Sequence, residues 1–296
     1  RAGNQAGPVA TGLSTIGGPY CVTVTDANGC MDSICVNITQ PATILTSNAV
    51  VVENANCNGF SDGVVMASGS GGTGAISYVW DGGTATGQTT DVVTGLAAGV
   101  YCVTVSDANN CSNVHCVTVT EPNAVTATIS GFTDAACFGD STGTATVLGS
   151  GGNGGTGYTF VWSTTPVQTT ATANNLAAGV YTVTVSDDSL CTGTTSVTIS
   201  EPSAVSVIAS VTSNINGSQV SCPTASDGSV TANASGGTGA YTFGWNPAGA
   251  GQTLNGVDTG MYIVTATDAN GCTAIDTTIV VPPAPVLVAI TAISNV

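Results

Sequence analysis

Gly99-Val-Tyr-Cys-Val-Thr-Val-Ser-Asp-Ala-Asn-Asn-Cys111 is one of four near-copies of a single phrase. The others are Gly18-Pro-Tyr-Cys-Val-Thr-Val-Thr-Asp-Ala-Asn-Gly-Cys30, Gly179-Val-Tyr-Thr-Val-Thr-Val-Ser-Asp-Asp-Ser-Leu-Cys191 and Gly260-Met-Tyr-Ile-Val-Thr-Ala-Thr-Asp-Ala-Asn-Gly-Cys272. Their tyrosines, Tyr20, Tyr101, Tyr181 and Tyr262, are 81, 80 and 81 residues apart. That period is too long for a solenoid coil and is the size of one small domain. The chain is therefore read as a string of like beads: 1–41 as the C-terminal part of a repeat, 42–122, 123–202 and 203–282 as whole repeats, and 283–296 as the start of a further one. On this reading the chain is a segment of something longer.

Within 42–122, runs rich in β-branched residues alternate with turn signals. Strands are expected at Ile44–Val52, Val64–Ala67 and Ile76–Trp80, with one or two short ones over Thr84–Val93. A last pair, Val100–Ser106 and Val114–Thr120, is joined by the turn Asp107-Ala-Asn-Asn110. Glu121-Pro122 closes the unit, because Pro cannot donate to a ladder. Six or seven short strands without helical periodicity indicate an all-β fold of tandem immunoglobulin-like β-sandwiches in an extended array. Trp80, Trp162 and Trp245 take equivalent places on the third strand, where a Trp is buried between the sheets. Leu96-Ala-Ala-Gly-Val-Tyr101, Leu176-Ala-Ala-Gly-Val-Tyr181 and Asp258-Thr-Gly-Met-Tyr262 have the form of a tyrosine corner. With about 80 residues per sandwich, each bead should advance the array by roughly 35–45 Å.

Composition excludes several functions. One basic residue, Arg1, stands against 17 acidic ones, for a net charge of −16. Nucleic-acid binding and phosphate-gripping loops both need Lys or Arg. The glycine runs at 69–74, 149–157 and 236–239 lack the Lys and the helix of a phosphate loop, and read as flexible connections. No stretch is long and apolar enough for a membrane span. His115 has no counterpart in the other repeats and no Ser–Asp partners, and is expected on a solvent-facing strand position. No polar cluster breaks the repeat as an enzyme site would.

The motifs Asp227-Gly228, Gly236-Gly-Thr-Gly-Ala-Tyr-Thr-Phe-Gly-Trp245 and Thr265-Ala-Thr-Asp-Ala-Asn-Gly-Cys272, with their counterparts elsewhere, resemble the SprB-type repeat. Such repeats occur in very long cell-surface adhesins of Bacteroidota, including the gliding-motility adhesin exported by the type IX system. The resemblance covers nearly the whole chain. It implies an extracellular, cell-surface location and an adhesive or stalk role without enzymatic activity, and names no ligand. Partners would be other repeats of the same chain, a surface polysaccharide, or like chains in a fibre. A self-assembling fibre subunit and an array of glycan-binding modules are the alternative functions.

The 11 cysteines fall into two spacing classes. Cys57 and Cys111, Cys137 and Cys191, and Cys222 and Cys272 would each tie the loop before the second strand to the last turn of the same repeat. Cys21 with Cys35, and Cys102 with Cys116, would bridge the last hairpin; Thr182 with Ser196, and Ile263 with Thr277, replace those pairs together. Cys30 is left unpaired, its partner falling upstream of residue 1. Cys-x-x-Cys metal spacing is absent, so disulfides and an oxidising compartment follow. The turn acids Asp107, Asp187 and Asp268 are candidate calcium ligands, although plain turn chemistry accounts for them too. Asp62, Asp140 and Asp227 recur near the second strand. Ser33, Ser141, Ser189 and Thr277 sit in Asp-Ser/Thr contexts that resemble the O-glycosylation signal of exported Bacteroidota proteins.

The charge pattern also has a covalent consequence. After Arg1 there is no Lys or Arg, so the reduced, unfolded chain should survive trypsin while an enzyme of aromatic specificity cuts it. Digestion followed by intact-mass measurement checks this.

Overall fold

A computed structural model of the chain describes residues 5–40, 43–153, 157–247, 249–287 and 289. Among the described residues, twenty strands and one short 3-10 turn make up the regular structure. The chain divides into two units, residues 1–124 and 125–296. The first unit holds a lone hairpin and one sandwich; the second holds two sandwiches.

The hairpin pairs β1 (Tyr20–Thr25) with β2 (Met31–Val36) in antiparallel register. It has the form of the last two strands of a repeat, and nearly every residue in it is exposed. In the sandwich that follows, one sheet has the order β3 (Thr46–Glu53), β4 (Gly63–Ser70), β6 (Val92–Leu96). The other is ordered β5 (Ser77–Asp81), β7 (Gly99–Ser106), β8 (Ser112–Val119). The segment expected to hold one or two strands over Thr84–Val93 instead forms the 3-10 turn Gly83–Ala85 and then β6. Asp81 accepts the Gly82 N–H there and Thr86 caps the turn, which favours a tight turn over a strand.

The same three-plus-three arrangement recurs twice. Sheets β9 (Asn123–Thr133), β10 (Gly143–Gly152), β12 (Thr172–Leu176) and β11 (Thr159–Trp162), β13 (Gly179–Ser186), β14 (Thr192–Ile199) make the second sandwich. Sheets β15 (Ser206–Val211), β16 (Gly228–Ser235), β18 (Thr253–Val257) and β17 (Thr242–Asn246), β19 (Gly260–Thr267), β20 (Thr273–Val280) make the third. All pairings are antiparallel, so each strand alternates inward and outward side chains. On β7 the inward set is Tyr101, Val103 and Val105, all buried.

Each core is built around the expected tryptophan. Trp80, Trp162 and Trp245 are buried, and each indole N–H donates to a backbone carbonyl: Thr90 at 2.9 Å, Thr170 at 3.0 Å and Gly251 at 3.0 Å. A buried indole without that acceptor would lose the stabilisation of its ring burial to an unmet donor. Around Trp80 pack Val65, Leu96, Val103, Val105 and Val119; around Trp245 pack Val220, Val230, Val264 and Val280. The tyrosine corners are present. Tyr101, Tyr181 and Tyr262 donate their hydroxyls to the carbonyls of Ala97, Ala177 and Asp258, four residues upstream.

His115 departs from the expectation of a solvent-facing position. It lies opposite Val103 across the β7–β8 ladder, and facing partners in a ladder share one face of the sheet, here the inner one. It is therefore half-buried, on the face of Val117 and Val119. Among the described residues no helix is long and apolar enough to cross a membrane.

The tyrosine corner should contribute one ordinary hydrogen bond of stability. Tyr181→Phe removes the 3.1 Å bond to Ala177 and should cost about 1 kcal/mol, read as a lowered urea midpoint with an unchanged slope.

Candidate functional site

The functional candidates are the two ends of each sandwich, because the recurring acids and the long-range cysteines both lie there. At one end is the turn after the penultimate strand. In the first sandwich Asp107 accepts the N–H groups of Asn109 and Cys111 on Oδ1, each at 2.9 Å, and that of Thr73 on Oδ2, also at 2.9 Å. Ala108 N–H donates to the Thr73 carbonyl in return. The carboxylate thus closes its own turn and fastens it to the glycine-rich connection after β4. Asp187 does the same with Ser189, Cys191 and Asn153, and Asp268 with Asn270, Cys272 and Thr238.

These connections are therefore fixed receptors for a carboxylate, not the loose links expected from composition; residues 154–156 of the second run lie outside the described residues. Gly72 has φ +69°, and a Cβ there would come within 2.8 Å of Asp107 Oδ2. Gly152 and Gly237 meet Asp187 and Asp268 in the same way. A side chain at this place would be strained twice, by the left-handed backbone and by the acid it must approach.

The three acids are buried, at 4%, 4% and 6% exposure, and all three titrate below the ordinary carboxylate range. The Thr73 N–H is the main cause for Asp107 and the Asn153 N–H for Asp187, each opposed by burial. For Asp268 burial is the largest single influence and pushes upward. The N–H groups of Thr238, Cys272, Asn270 and Gly271 together outweigh it. Calcium does not fit this donor set. Each carboxylate is surrounded by N–H groups that point hydrogen at its oxygens, where a cation needs further oxygen ligands. Among the described residues no group of three or more His, Cys, Asp or Glu could hold a metal.

At the opposite end lies the loop between the first and second strands. In the first sandwich Ala55 N–H donates to the Thr120 carbonyl, and Thr120 N–H to Asn54 Oδ1. Glu121 accepts from Asn58 Nδ2 and from the Gly59 N–H. The second sandwich repeats this with Ala135, Ser200, Asp134, Glu201 and Gly139. In the third, Gln219 Oε1 accepts the Val281 N–H as Asn54 and Asp134 accept those of Thr120 and Ser200, and Pro282 stands where the other two have Glu. The Glu of each Glu-Pro junction is thus a clasp on this loop, a role its place in a linker concealed. The loop is also closed from within. Asn56 N–H meets Asp62, Ala136 N–H meets Thr142, and Ser221 N–H meets Asp227. Thr142, rather than Asp140, is therefore the counterpart of Asp62 and Asp227. The Ser221 side chain and backbone hold Asp227 below the ordinary range.

This end-to-end separation decides the cysteines. The turn at 107–111 and the loop beside Thr120 and Glu121 sit at opposite ends of the β7–β8 hairpin, whose register pairs eight residues from Ser106↔Ser112 to Gly99↔Val119. Eight residues at about 3.3 Å each separate them by roughly 25 Å, and disulfide Cα atoms lie within about 7 Å. The intra-repeat pairs Cys57–Cys111, Cys137–Cys191 and Cys222–Cys272 are accordingly not formed. Instead, Cys137 in the loop of the second sandwich is bonded to Cys272 in the turn of the third, with S–S 1.98 Å and Cα–Cα 5.7 Å. Asn270 Nδ2 donates to the Ala136 carbonyl at 3.1 Å beside it. Cys57 and Cys191 are also disulfide-bonded. Cys30, Cys111 and Cys222 are free and exposed.

The hairpin bridges are present: Cys21–Cys35 at 2.05 Å and Cys102–Cys116 at 2.10 Å. Each joins direct cross-strand partners. Thr182↔Ser196 and Ile263↔Thr277 hold the same register positions in the other sandwiches. Of the candidate glycosylation residues, Ser33, Ser141 and Thr277 are exposed. Ser189 is half-buried and its hydroxyl accepts from Asn153 Nδ2 at 2.9 Å. Asp276, beside Thr277, accepts the Ala209 N–H at 2.8 Å and so fastens β15 to β20.

Sandwiches repeated in tandem, with matched and complementary ends, define a class of modular β-repeat protein. Residues 49–85 and 214–250 match the SprB repeat family, which supports a SprB-type repeat at those two places. No curated protein matches it. Among solved structures it is similar to a Ca2+-stabilised adhesin that helps an Antarctic bacterium reach out and bind ice, at 19% identity over 88% of this chain and 80% of that one, with a TM-score of 0.36. It is also similar to a tetra-tandem repeat in the extending region of a large adhesion protein, at 13% identity over 88% and 80%, with a TM-score of 0.31. Invasin, a bacterial integrin-binding protein, matches at 15% identity over 81% and 60%, with a TM-score of 0.30.

The turn acids predict an acid limb of stability. Their folded values lie below the unfolded value of about 3.9, so the contribution is complete above that pH. It is lost as pH falls through the folded values. Urea midpoints taken from pH 7 to pH 2 should drop below pH 4, and Asp107→Asn with Asp187→Asn and Asp268→Asn should flatten that drop.

Proposed function

We propose that the chain is a structural, non-enzymatic segment of a long cell-surface adhesin, with sandwiches at 42–122, 123–202 and 203–282 forming a stalk that bears load and displays adhesive surface. The Cys137–Cys272 disulfide carries the reading. It adds a second covalent path between one sandwich and the next, beside the peptide link through Glu201-Pro202. Two connections at one junction restrict swivelling, which a single Pro-containing linker does less well. They also keep a pulled sandwich from paying out its full length.

The remaining features fit this role. Disulfides persist in oxidising, extracytoplasmic surroundings. The chain presents almost no positive charge, so nucleic acid and anionic membrane surfaces are poor partners. The SprB resemblance extends the proposal to export by the type IX route and to gliding motility. Exposed Ser33, Ser141 and Thr277 are then the hydroxyls open to O-glycans. Acidic self-repulsion favours extension but is screened within about 8–10 Å in physiological salt, so the cross-linked junctions do most of the stiffening.

Pulling the chain by its ends, with and without reductant, tests the proposal. The oxidised chain keeps the 135 residues between Cys137 and Cys272 out of the stretched path. At about 3.5 Å per residue, reduction should lengthen the fully extended molecule by about 470 Å or more. Equal lengths in the two conditions would remove the load-bearing role.

A further inference from the structure

Two of the free cysteines are held as the two halves of the bond that Cys137 and Cys272 make. Cys111 ends a turn whose bonds match those of the Cys272 turn one for one. Asp107 N–H donates to the Cys111 carbonyl as Asp268 N–H does to that of Cys272. The acid accepts from Cys111 and Asn109 in one, and from Cys272 and Asn270 in the other. Ala108 and Ala269 donate to Thr73 and Thr238. Asn109, two residues before Cys111, occupies the place of Asn270, whose amide clasps Ala136 beside the formed bond.

Cys222 is the other half. Its carbonyl accepts from Ala225 N–H as that of Cys137 accepts from Asp140 N–H. The preceding residue is anchored in both loops, Ser221 by Asp227 and Ala136 by Thr142. Cys30 repeats the turn form, with Asp26 accepting from Asn28 and Cys30. All three thiols are exposed.

We infer that Cys222 and Cys111 are sites of repeat-to-repeat cross-linking: Cys222 takes the turn cysteine of another SprB-type repeat, and Cys111 takes the loop cysteine of another. The unit that docks is a repeat of this same kind, presented by the same polypeptide or by a second copy. The bond forms by thiol–disulfide exchange. One thiolate attacks an oxidised small-molecule or protein disulfide and expels a thiolate. The second cysteine then attacks the mixed disulfide and expels the other, so two thiols become one S–S bond and the reagent is reduced to two thiols. Both readings start from the Cys137–Cys272 bond, but their tests separate them: Cys222 pairing otherwise removes the cross-linking, and an unchanged pulled length on reduction removes the load-bearing role.

The test uses the whole chain, concentrated in a buffer of reduced and oxidised glutathione, with non-reducing electrophoresis and peptide mapping. Covalent multimers should appear in which Cys222 is joined to Cys111 or Cys30 of another copy, always loop to turn. Cys222→Ser should abolish them while leaving Cys137–Cys272 intact. Asn109→Ala with Cys30→Ser should slow their formation several-fold, because the amide clasp that orients the turn is gone. Cys222–Cys222 pairs, or monomers whose Cys222 ends capped by glutathione, overturn the inference. In the protein as its cell produces it, the mass of the non-reduced, denatured chain separates the two sources: a single-chain mass with Cys222 bridged means a repeat of the same polypeptide, and multiples mean a second copy.

Discussion

The final hairpin of each sandwich is long, and its length sets where every end group of this molecule can reach. Eight paired residues hold the turn of each sandwich at one end and the loop beside the Pro-containing junction at the other. Because a disulfide cannot span that distance, loop and turn cysteines have to look outward, to a neighbouring repeat. A shorter hairpin would have allowed each bead to be stapled to itself, and the long-range cross-link would not exist.

The ends are rigid enough to use this geometry because backbone groups there are satisfied by side chains rather than by water. One carboxylate with three N–H donors organises each turn, a side-chain oxygen of Asn54, Asp134 or Gln219 takes the N–H that follows each last strand, and a Glu fastens the loop in the first two sandwiches. Such charge-assisted bonds to a partly desolvated acid are stronger than neutral ones. The cost is a dependence on the ionised form, and so a sensitivity to acid. A chain with a single Lys or Arg has almost no cations from which to build ion pairs, and it uses backbone amides instead.

This arrangement also explains why the same acids resemble metal ligands without serving as such. Asp-Ala-Asn-Gly offers oxygens at a spacing that a cation can use, but in the folded chain the oxygens are already taken by N–H groups from two segments. The strand order supplies the second segment: Thr73, Asn153 and Thr238 follow β4, β10 and β16 and lie 30 or more residues from the acids they meet.

Much of the fold was legible in the residues alone. The 80-residue period, the strand pattern, the core tryptophans and the tyrosine corners are local or periodic, and each repeat states them again. The hairpin cysteines belong with them, because positions symmetric about a turn are cross-strand partners by construction. The spacing of Cys137 and Cys191 could not show that these residues occupy opposite ends of one sandwich. Nor could it show that Glu201 grips a loop 62 residues earlier, that the glycine runs cradle an acid, or that His115 faces inward. Those facts depend on which strands stack on which, and equal spacing in sequence is silent about that. The repeat, the sandwich and the chemistry available at each end follow from local pattern and residue type. Which ends meet follows from the folded packing, because a rigid hairpin converts the 54 residues between Cys137 and Cys191 into the full length of a sandwich.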